Sequence, residues 1–332
     1  DHRDLHSFPT RRSSDLRLKN DAGEYVSFDL NMQLGMKPVE GDDILENKEE
    51  KLKFYTDGLY IDQMRGGVNA GGRMTRKRTI HDLRKVARAR QSDWWARVFD
   101  ELHFMYASGT RGVNDEFIFD ATYPGFANNP LAAPDSLHHY FANGKAKATI
   151  TVDDKMSLSG VDRLVAEADM MGGGTQGTPQ IQPIKLEGED HFLLLMNPWQ
   201  AYDLRTDTAS GKWLDIQKAL ATSEGRKSPI CKGGLGMYNN VILQKHKGVI
   251  RFDDYGSGGN VKAARALFLG EQGLAVAWGS SGSGLRFDWH EESRDNGNIL
   301  IISTYSMFGL NKVAFNGLDY GLIAYDTAAT KV

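Results

Sequence analysis

A single cysteine, Cys231, occurs among 332 residues, which excludes an intrachain disulfide framework and any cysteine-based zinc site. No surplus of basic charge is present either. The formal net charge is −3, which excludes a nucleic-acid binder that works by charge alone, because neutralising phosphates takes clustered lysine and arginine. Long apolar runs are missing too: none approaches the roughly 20 residues of a membrane-spanning helix. Prolines number nine against 36 glycines, a balance that suits many tight turns between strands. What remains is ordinary globular composition, 40% hydrophobic and 25% charged, on a chain long enough for one large or two average domains with a real core. No internal repeat is evident.

The motifs of catalysis are also wanting. Gly256 to Lys262 superficially resembles a phosphate loop, but Lys262 is followed by Ala263 and stands too far from a glycine. Gly211-Lys212 is followed by Trp213, with Thr206 where the first glycine belongs. No Gly-x-Ser-x-Gly can be threaded through Gly279 to Gly284, since Ser283 takes the place of the last glycine. The two phosphate-loop look-alikes read as glycine-rich turns and the serine-rich stretch as a loop. His138-His139 and the run from Trp289 to Glu292 are the best metal candidates, yet adjacent histidines on a strand point to opposite faces and no His-Glu-x-x-His exists. Cys231 reads as a small buried hydrophobe rather than a reactive thiol. The expectation is therefore no catalytic residue, no metal site and no cofactor.

What is present is a clear order of elements. Glu24 to Leu34 alternates Tyr25, Ser27 and Asp29 with Val26, Phe28 and Leu30, the period of a strand. An acidic stretch, GDDILENKEEK, separates it from a second β-type run around Phe54 to Ile61. Together they predict an extended hairpin over about Glu24–Met64. A lone hairpin is marginally stable, so it must lean on the body or on another subunit.

Glycines 66, 67, 71 and 72 then break the chain, and the strongest helix signal follows. Thr79 and Asp82 form a capping-box variant and Gly109 supplies the stop, which predicts a helix over about Thr79–Ser108. At about 100° per residue, Trp94, Trp95, Val98, Phe99, Leu102, Met105 and Tyr106 fall within about 140° of one another. Both tryptophans of QSDWWARVFDELHF thus belong to one broad apolar face, continued upstream by Leu83, Ala87 and Ile80. Asp93, Arg97 and Asp100 lie opposite, where Phe104 is the odd residue, covered by another segment or held at an interface. Arg84 and Arg88 occupy the edge that Trp95 and Tyr106 hold later, so the helix starts near the surface and runs into a thicker core.

Nine bases crowd Arg65 to Arg90, including Arg73, Arg84 and Arg88. They could touch DNA phosphates, but the acidic stretch with Asp42, Asp43, Glu49 and Glu50 is the preferred partner, because the two blocks have complementary charge. Downstream, Ala146 to Asp154 reads as a strand and Ser159, with Asp162, as the opening of a short helix followed by the glycine-rich connector from Gly172. His191 to Arg205 holds a buried-type strand, then Asn197-Pro198 starting a helix. Trp213 to Gly225 reads as another short helix. The stretches from Gly236 to Phe252, Ala266 to Gly279 and Asn298 to Phe315 are strand-rich. The fold class is α+β.

Residues 1–16, DHRDLHSFPTRRSSDL, have no helical or strand period and no signal-peptide core. The string resembles the translation of a sequencing-library adaptor. It is expected to be an artefact that leaves the native N-terminus missing.

From Tyr55 to Gly109 the residues resemble the central signature of the N4-like family of bacteriophage major capsid proteins: Ile-Asp-Gln, the Gly-Gly-Arg-Met turn, Arg-Thr-x-His-Asp-Leu-Arg and Asp-Trp-Trp. FLLLMNPWQAYDLR, GGLGMYNNVILQKH and FGLNKVAFNGLDYGLIAYDTAA resemble the family as well, in the same order, so the likeness spans about Gly23 to Ala329. The departures are the missing N-terminal tens of residues and Cys231-Lys232. The resemblance implies the Hong Kong 97-like phage capsid fold: an extended hairpin arm over 17–64, a peripheral domain over 65–183 built on a spine helix, and a mixed α/β axial domain over 184–332 whose last strands return to the body. It implies a virion protein without catalytic residues, assembled in the bacterial host cytoplasm into hexamers and pentamers of an icosahedral shell around double-stranded DNA. Its partners would be itself and the portal, scaffolding or cementing proteins of the phage, with no membrane. Contact candidates are Trp94, Trp95, Phe99, Leu102 and Phe104 on the helix, with Arg73, Arg84, Arg88, Asp42, Asp43, Glu49 and Glu50 as charged partners. Two other readings stay open: a glycan-binding or glycan-cleaving α+β protein, suggested by the Trp, Tyr and Asp residues of the second half, and a minor virion protein sharing the fold.

Overall fold

The computed structural model describes residues 16–18, 23–31, 35, 37–52, 54–172, 180–186, 188–206, 235–279 and 285–329. The helix expected over Trp213–Gly225, Cys231, most of the connector after Gly172, residues 280–284 of the serine-rich loop and most of the adaptor-like segment lie outside them.

Two sheets share the body with one long helix. The larger sheet has eight strands among the described residues, with Glu189–Met196, Val261–Leu269 and Leu322–Ala328 at its centre. Its two faces follow from the two-residue period of a strand. Phe192, Leu194, Ala266, Phe268 and Ile323 point to one side, onto the helix Leu158–Met170 and the helix Pro198–Thr206. Leu267 and Leu322 point to the other, into a second core built on the long helix. Burial on both sides explains why Leu322–Ala328 is buried at every position.

The smaller sheet is organised by the 14-residue strand Ile299–Lys312. Ile302 pairs with both Val68 and Glu291, and Phe308 with both Asp62 and Trp278, so Asp62–Asn69 takes one edge. Asp288–Arg294 and Leu274–Gly279 share the other. The even-numbered residues Leu300, Ile302, Thr304, Phe308 and Leu310 are buried, and the long helix lies along this part of the sheet. Chain from both sides of residue 184 therefore meets in one sheet.

The long helix runs Leu83–Ser108, 26 residues. Gly109 ends it in the left-handed conformation at φ 68°, as the sequence predicts. Its start differs. Asp82 is the cap, accepting from the backbone N–H groups of Arg84 and Lys85 at 3.1 and 3.3 Å. Thr79 instead closes a short preceding helix, Arg73–Arg78, and its hydroxyl donates to the Thr75 carbonyl at 2.9 Å. Ile80 falls between the two helices and is fully exposed, so it does not extend the apolar stripe.

Two further expectations are corrected. Residues 146–154 form a 3-10 turn, Lys147–Thr149, and then a bend rather than a strand. The cause is local: the Asp154 carboxylate takes the Thr151 N–H and hydroxyl together with Lys145 and Asn143, and such bonds compete with a strand ladder. The next helix is capped by Ser157, whose hydroxyl accepts from the Gly160 N–H at 3.3 Å, not by Ser159.

The hairpin pairs Tyr25–Asn31 with Phe54–Tyr60, antiparallel and in unbroken register from Tyr25↔Tyr60 to Asn31↔Phe54. It ends there, because Asp62–Asn69 turns away to join the smaller sheet.

Candidate assembly surfaces

The contact candidates read from the sequence fall at joints between the long helix, the two sheets and the hairpin, and on the hairpin arm. Three joints and one arm stand out.

The first joint seats the long helix on the smaller sheet. Trp95 is buried, and its indole N–H donates to the Thr304 hydroxyl at 2.8 Å. Gln91, one turn earlier and also buried, donates to the Ile302 carbonyl at 2.9 Å. These bonds offset the desolvation of the Trp95 indole N–H and the Gln91 amide N–H within an apolar contact. Trp94 stands at the edge of the face, half-buried, 4.9 Å from Trp95 in an edge-on arrangement, with its ring against Gly66. Phe99, half-buried, joins Trp278, Phe287 and Phe308, and Leu102 is fully buried beneath them. Phe104 is covered by another segment, one of the two outcomes the sequence left open. Its ring stacks on His246 at 4.7 Å, above Gly248. From Glu101 to Ser108 the helix is buried almost all round, the thicker core that the sequence predicts.

In that stretch sequence reasoning missed Glu101 altogether and read Tyr106 only as part of the apolar face, not for its hydroxyl. Glu101 is buried and accepts from the Ile118 N–H at 2.7 Å; burial pushes its carboxyl up, and the Ile118 and Phe119 amides oppose that. The Tyr106 hydroxyl accepts from Phe126 N–H at 2.6 Å and donates to the Asn129 carbonyl at 2.7 Å. Burial pushes it up to about 12, so it remains a donor over the neutral range.

The second joint ties the helix end to the larger sheet. Arg265 and Asp326 oppose one another in adjacent strands, with Nε–Oδ1 2.8 Å and Nη2–Oδ2 2.7 Å. Tyr255 donates to the same carboxylate at 2.6 Å, and a His139 ring nitrogen lies 2.6 Å from it. The remaining Arg265 nitrogen donates to the Ser108 carbonyl at 2.7 Å, at the negative end of the helix. His138, next in sequence, turns to Asp135 instead, so the two histidines serve different carboxylates. The signal for this cluster was a single charge inside each of two apolar strands, ARALFL and LIAYDTA.

The third joint holds the base of the hairpin. Asn129 accepts from the Tyr60 N–H and donates to the Tyr60 carbonyl, both at 2.8 Å, replacing a strand partner with one side chain. Leu59 is fully buried beside it.

Beyond that base the arm leaves its own body. Asp42, Asp43, Glu49 and Glu50 are exposed, as is every described residue of 37–52 except the half-buried Val39. Ile44, Leu45 and Leu52 are among them, at 71, 55 and 69% exposure. The expected pairing of this acidic segment with the basic block is not made within the chain among the described residues. Asp43 pairs with Lys48, and Glu50 accepts from the Gly35 N–H. The bases turn instead to the hairpin Asp288–Lys312: Arg84 pairs with Glu291 at 2.7 Å, Arg73 and Arg76 donate to Gly297 and Asn298 carbonyls, and Arg88 lies over Trp289. The reason is register, since the short helix and the first turn of the long one face that hairpin.

Among the described residues no cluster of His, Cys, Asp and Glu could hold a metal, and no helix is long and apolar enough to cross a membrane. The similar proteins are capsid proteins of phages. The chain is similar to the major capsid protein of Pseudomonas phage KPP25, 26% identical over an alignment 321 residues long that covers 88% of this chain and 80% of that one. Its structure is similar to the capsid of Ralstonia phage GP4, with 47% identity, a TM-score of 0.87 and coverage of 95% and 87% of the two chains. It shares its fold with the capsid subunit of Cyanophage Pam1 at 18% identity, TM-score 0.71, over 94% and 87%. The family model described as phage capsid protein matches residues 7–331, and with nearly the whole chain so matched, the protein belongs to the phage capsid protein family.

Proposed function

We propose that the chain is the major capsid protein of a tailed double-stranded DNA bacteriophage of the N4-like type, with the Hong Kong 97-like fold. It closes into hexamers and pentamers and tiles an icosahedral shell. The observation that carries this reading is a packed body joined to an apolar-acidic arm that stays exposed, uncovered by the described residues of its own chain. An exposed arm bearing Ile44, Leu45 and Leu52 needs a second surface, and a shell supplies one at every subunit boundary.

In this reading the hairpin arm, 17–64, overlaps a neighbour. The peripheral part, 65–183, is carried by the long helix, and the axial part, 184–332, by most of the larger sheet with the helix Pro198–Thr206, while the helix Leu158–Met170 packs on that sheet from the peripheral stretch. Strand Ile299–Lys312 returns under the long helix and couples the parts. Packaged DNA is enclosed rather than collected by basic tails, which suits a net charge of −3. Portal, scaffolding or cementing proteins complete the particle in the host cytoplasm. The glycan-binding alternative loses ground because Trp278 and Trp289, two of its aromatics, pack against Phe308 and Arg88.

Sedimentation and negative-stain imaging of the full-length protein test the reading. Capsomers or shells are expected; a stable monomer with affinity for glycans would overturn it.

A further inference from the structure

The arm is held to its own body at a second place besides Asn129. Asp57 stands three residues before Tyr60 on the same strand. One of its carboxylate oxygens accepts from the Ala314 N–H at 2.8 Å, and the other accepts from the Gly58 N–H at 2.8 Å. The Tyr55 ring lies 4.8 Å from Phe315. Val26 and Phe28, on the opposite strand of the arm, gather with Tyr320 around the buried cluster of Leu59 and Val313. Phe54, the next residue outward from Tyr55, is 60% exposed, so the arm parts from the body there.

What Asp57 and Tyr55 grip is itself small. Ala314-Phe315 and Leu318-Asp319 pair as two-residue strands around Asn316-Gly317, whose φ of 51° and 77° suit a tight hairpin turn. A hairpin of that size is not stable alone. It is pinned from outside. Lys312 Nζ lies 2.7 Å from Asp319 Oδ1, with both side chains buried, and donates to the Ala132 carbonyl at 3.1 Å. The Asp319 N–H donates to the Asp135 carboxylate at 2.6 Å. One stretch, 129–135, therefore closes on the arm twice: Asn129 grips Tyr60 directly, while Ala132 and Asp135 hold the small hairpin that grips Asp57. At about 3.3 Å per residue the two grips stand about 10 Å apart along the strand. One grip would leave a pivot; two fix a direction.

We propose that Asp57 and Asn129 are positioning residues that set the direction in which the arm leaves the body before any neighbour is met, with the hairpin around Asn316-Gly317 as the strut behind Asp57. This rests on the shell reading above, in which the arm reaches a second copy of this chain, and it names what aims the arm. A preset direction removes part of the ordering cost of capture and makes the angle between neighbouring subunits a property of the subunit itself. An arm swinging about one pivot would join copies at many angles and close few shells.

The test reads the arm's direction in unassembled full-length subunits and then the particles they form. Spin labels on Phe54→Cys and Asp100→Cys, in a Cys231→Ser background, report the distance from the outer end of the arm strand to the exposed side of the long helix. The parent is expected to give one narrow distance distribution. Asp57→Ala and Asn129→Ala are each expected to widen it about twofold, with the fold confirmed by circular dichroism. Asp57→Asn, which keeps an acceptor for the Ala314 N–H, should restore the parent width. Should Asp57→Ala fail to fold, Tyr55→Ala, at the outer end of the same grip, carries the same reading. Without the labels, the widened variants are expected to yield about threefold fewer closed shells and more irregular particles by negative stain. A parent distribution that is already broad overturns the positioning role. So does an Asp57→Ala variant that only melts earlier while its distribution stays narrow, or widened variants that close shells like the parent. A parent with a narrow distribution that forms neither capsomers nor shells overturns the shell reading, and with it the neighbour the arm is aimed at, while the two-point grip stands.

Discussion

Arg265 and Asp326 face one another across adjacent central strands, joined by two parallel hydrogen bonds of 2.8 and 2.7 Å, and the arginine's third bond grips the last residue of the long helix, Ser108. Removing one partner strands a charge in the interior. Asp326→Ala is expected to cost about 3–5 kcal/mol in chemical denaturation. Replacing both residues with apolar ones of similar volume should cost much less, and equal losses in the two variants would mean the bonds, not the charges, carry the joint.

The same pair fixes an acid limit. Burial pushes the Asp326 carboxyl up, but the Arg265 guanidinium, with His139, holds it down at about 2. A carboxyl depressed in the fold stabilises above its unfolded value near 4 and loses that contribution as pH falls towards 2. Unfolding midpoints should drop over that window. The double apolar variant should show a flatter profile, measured by thermal melts from pH 5 to 2.

Trp94 and Gly66 form a steric pair. A β-carbon on Gly66 would lie 2.6 Å from the Trp94 ring, so Gly66→Ala is expected to cost about 1–3 kcal/mol by overpacking. Trp94→Ala should relieve most of that penalty, a coupling read by a double-mutant cycle. Trp95→Ala has no such remedy and should cost about 3–5 kcal/mol, because its buried ring and its bond to Thr304 are both lost.

Phe104 should behave as a core residue despite its place among helix charges. Phe104→Ala is expected to cost about 3–5 kcal/mol, by urea denaturation. A loss below about 1 kcal/mol would assign the residue to a subunit boundary rather than to the stack with His246.

The arm should report assembly directly. In isolated subunits, residues 37–52 are expected to be cut first by a protease and to exchange amide hydrogens fastest, because they are exposed and outside any strand. Assembled particles should protect them. Strong protection in a monomer would contradict an intersubunit arm.

Much of the fold was legible because it rests on period and punctuation. The alternation of Tyr25 to Leu30, the stop at Gly109 and the Asn197-Pro198 helix start are local signals, and local geometry obeys them. The misses share one cause. At Thr79, Ser159 and Ala146 to Asp154 several polar residues could each cap or bend the chain, and only the surrounding packing selects among them. Charge complementarity between the two blocks was legible as well, but not which molecule each block would face.

The sequence by itself determined most of the elements, their order and the broad apolar face of the long helix, because those depend on spacing and residue type along the chain. Tertiary structure alone decided what each face meets. It put Thr304 under Trp95 and His246 over Phe104, brought Arg265 to the end of a helix 157 residues earlier, and left the arm without a seat in its own subunit. Contacts of that separation arise from how the sheets stack, and nothing in local spacing encodes them.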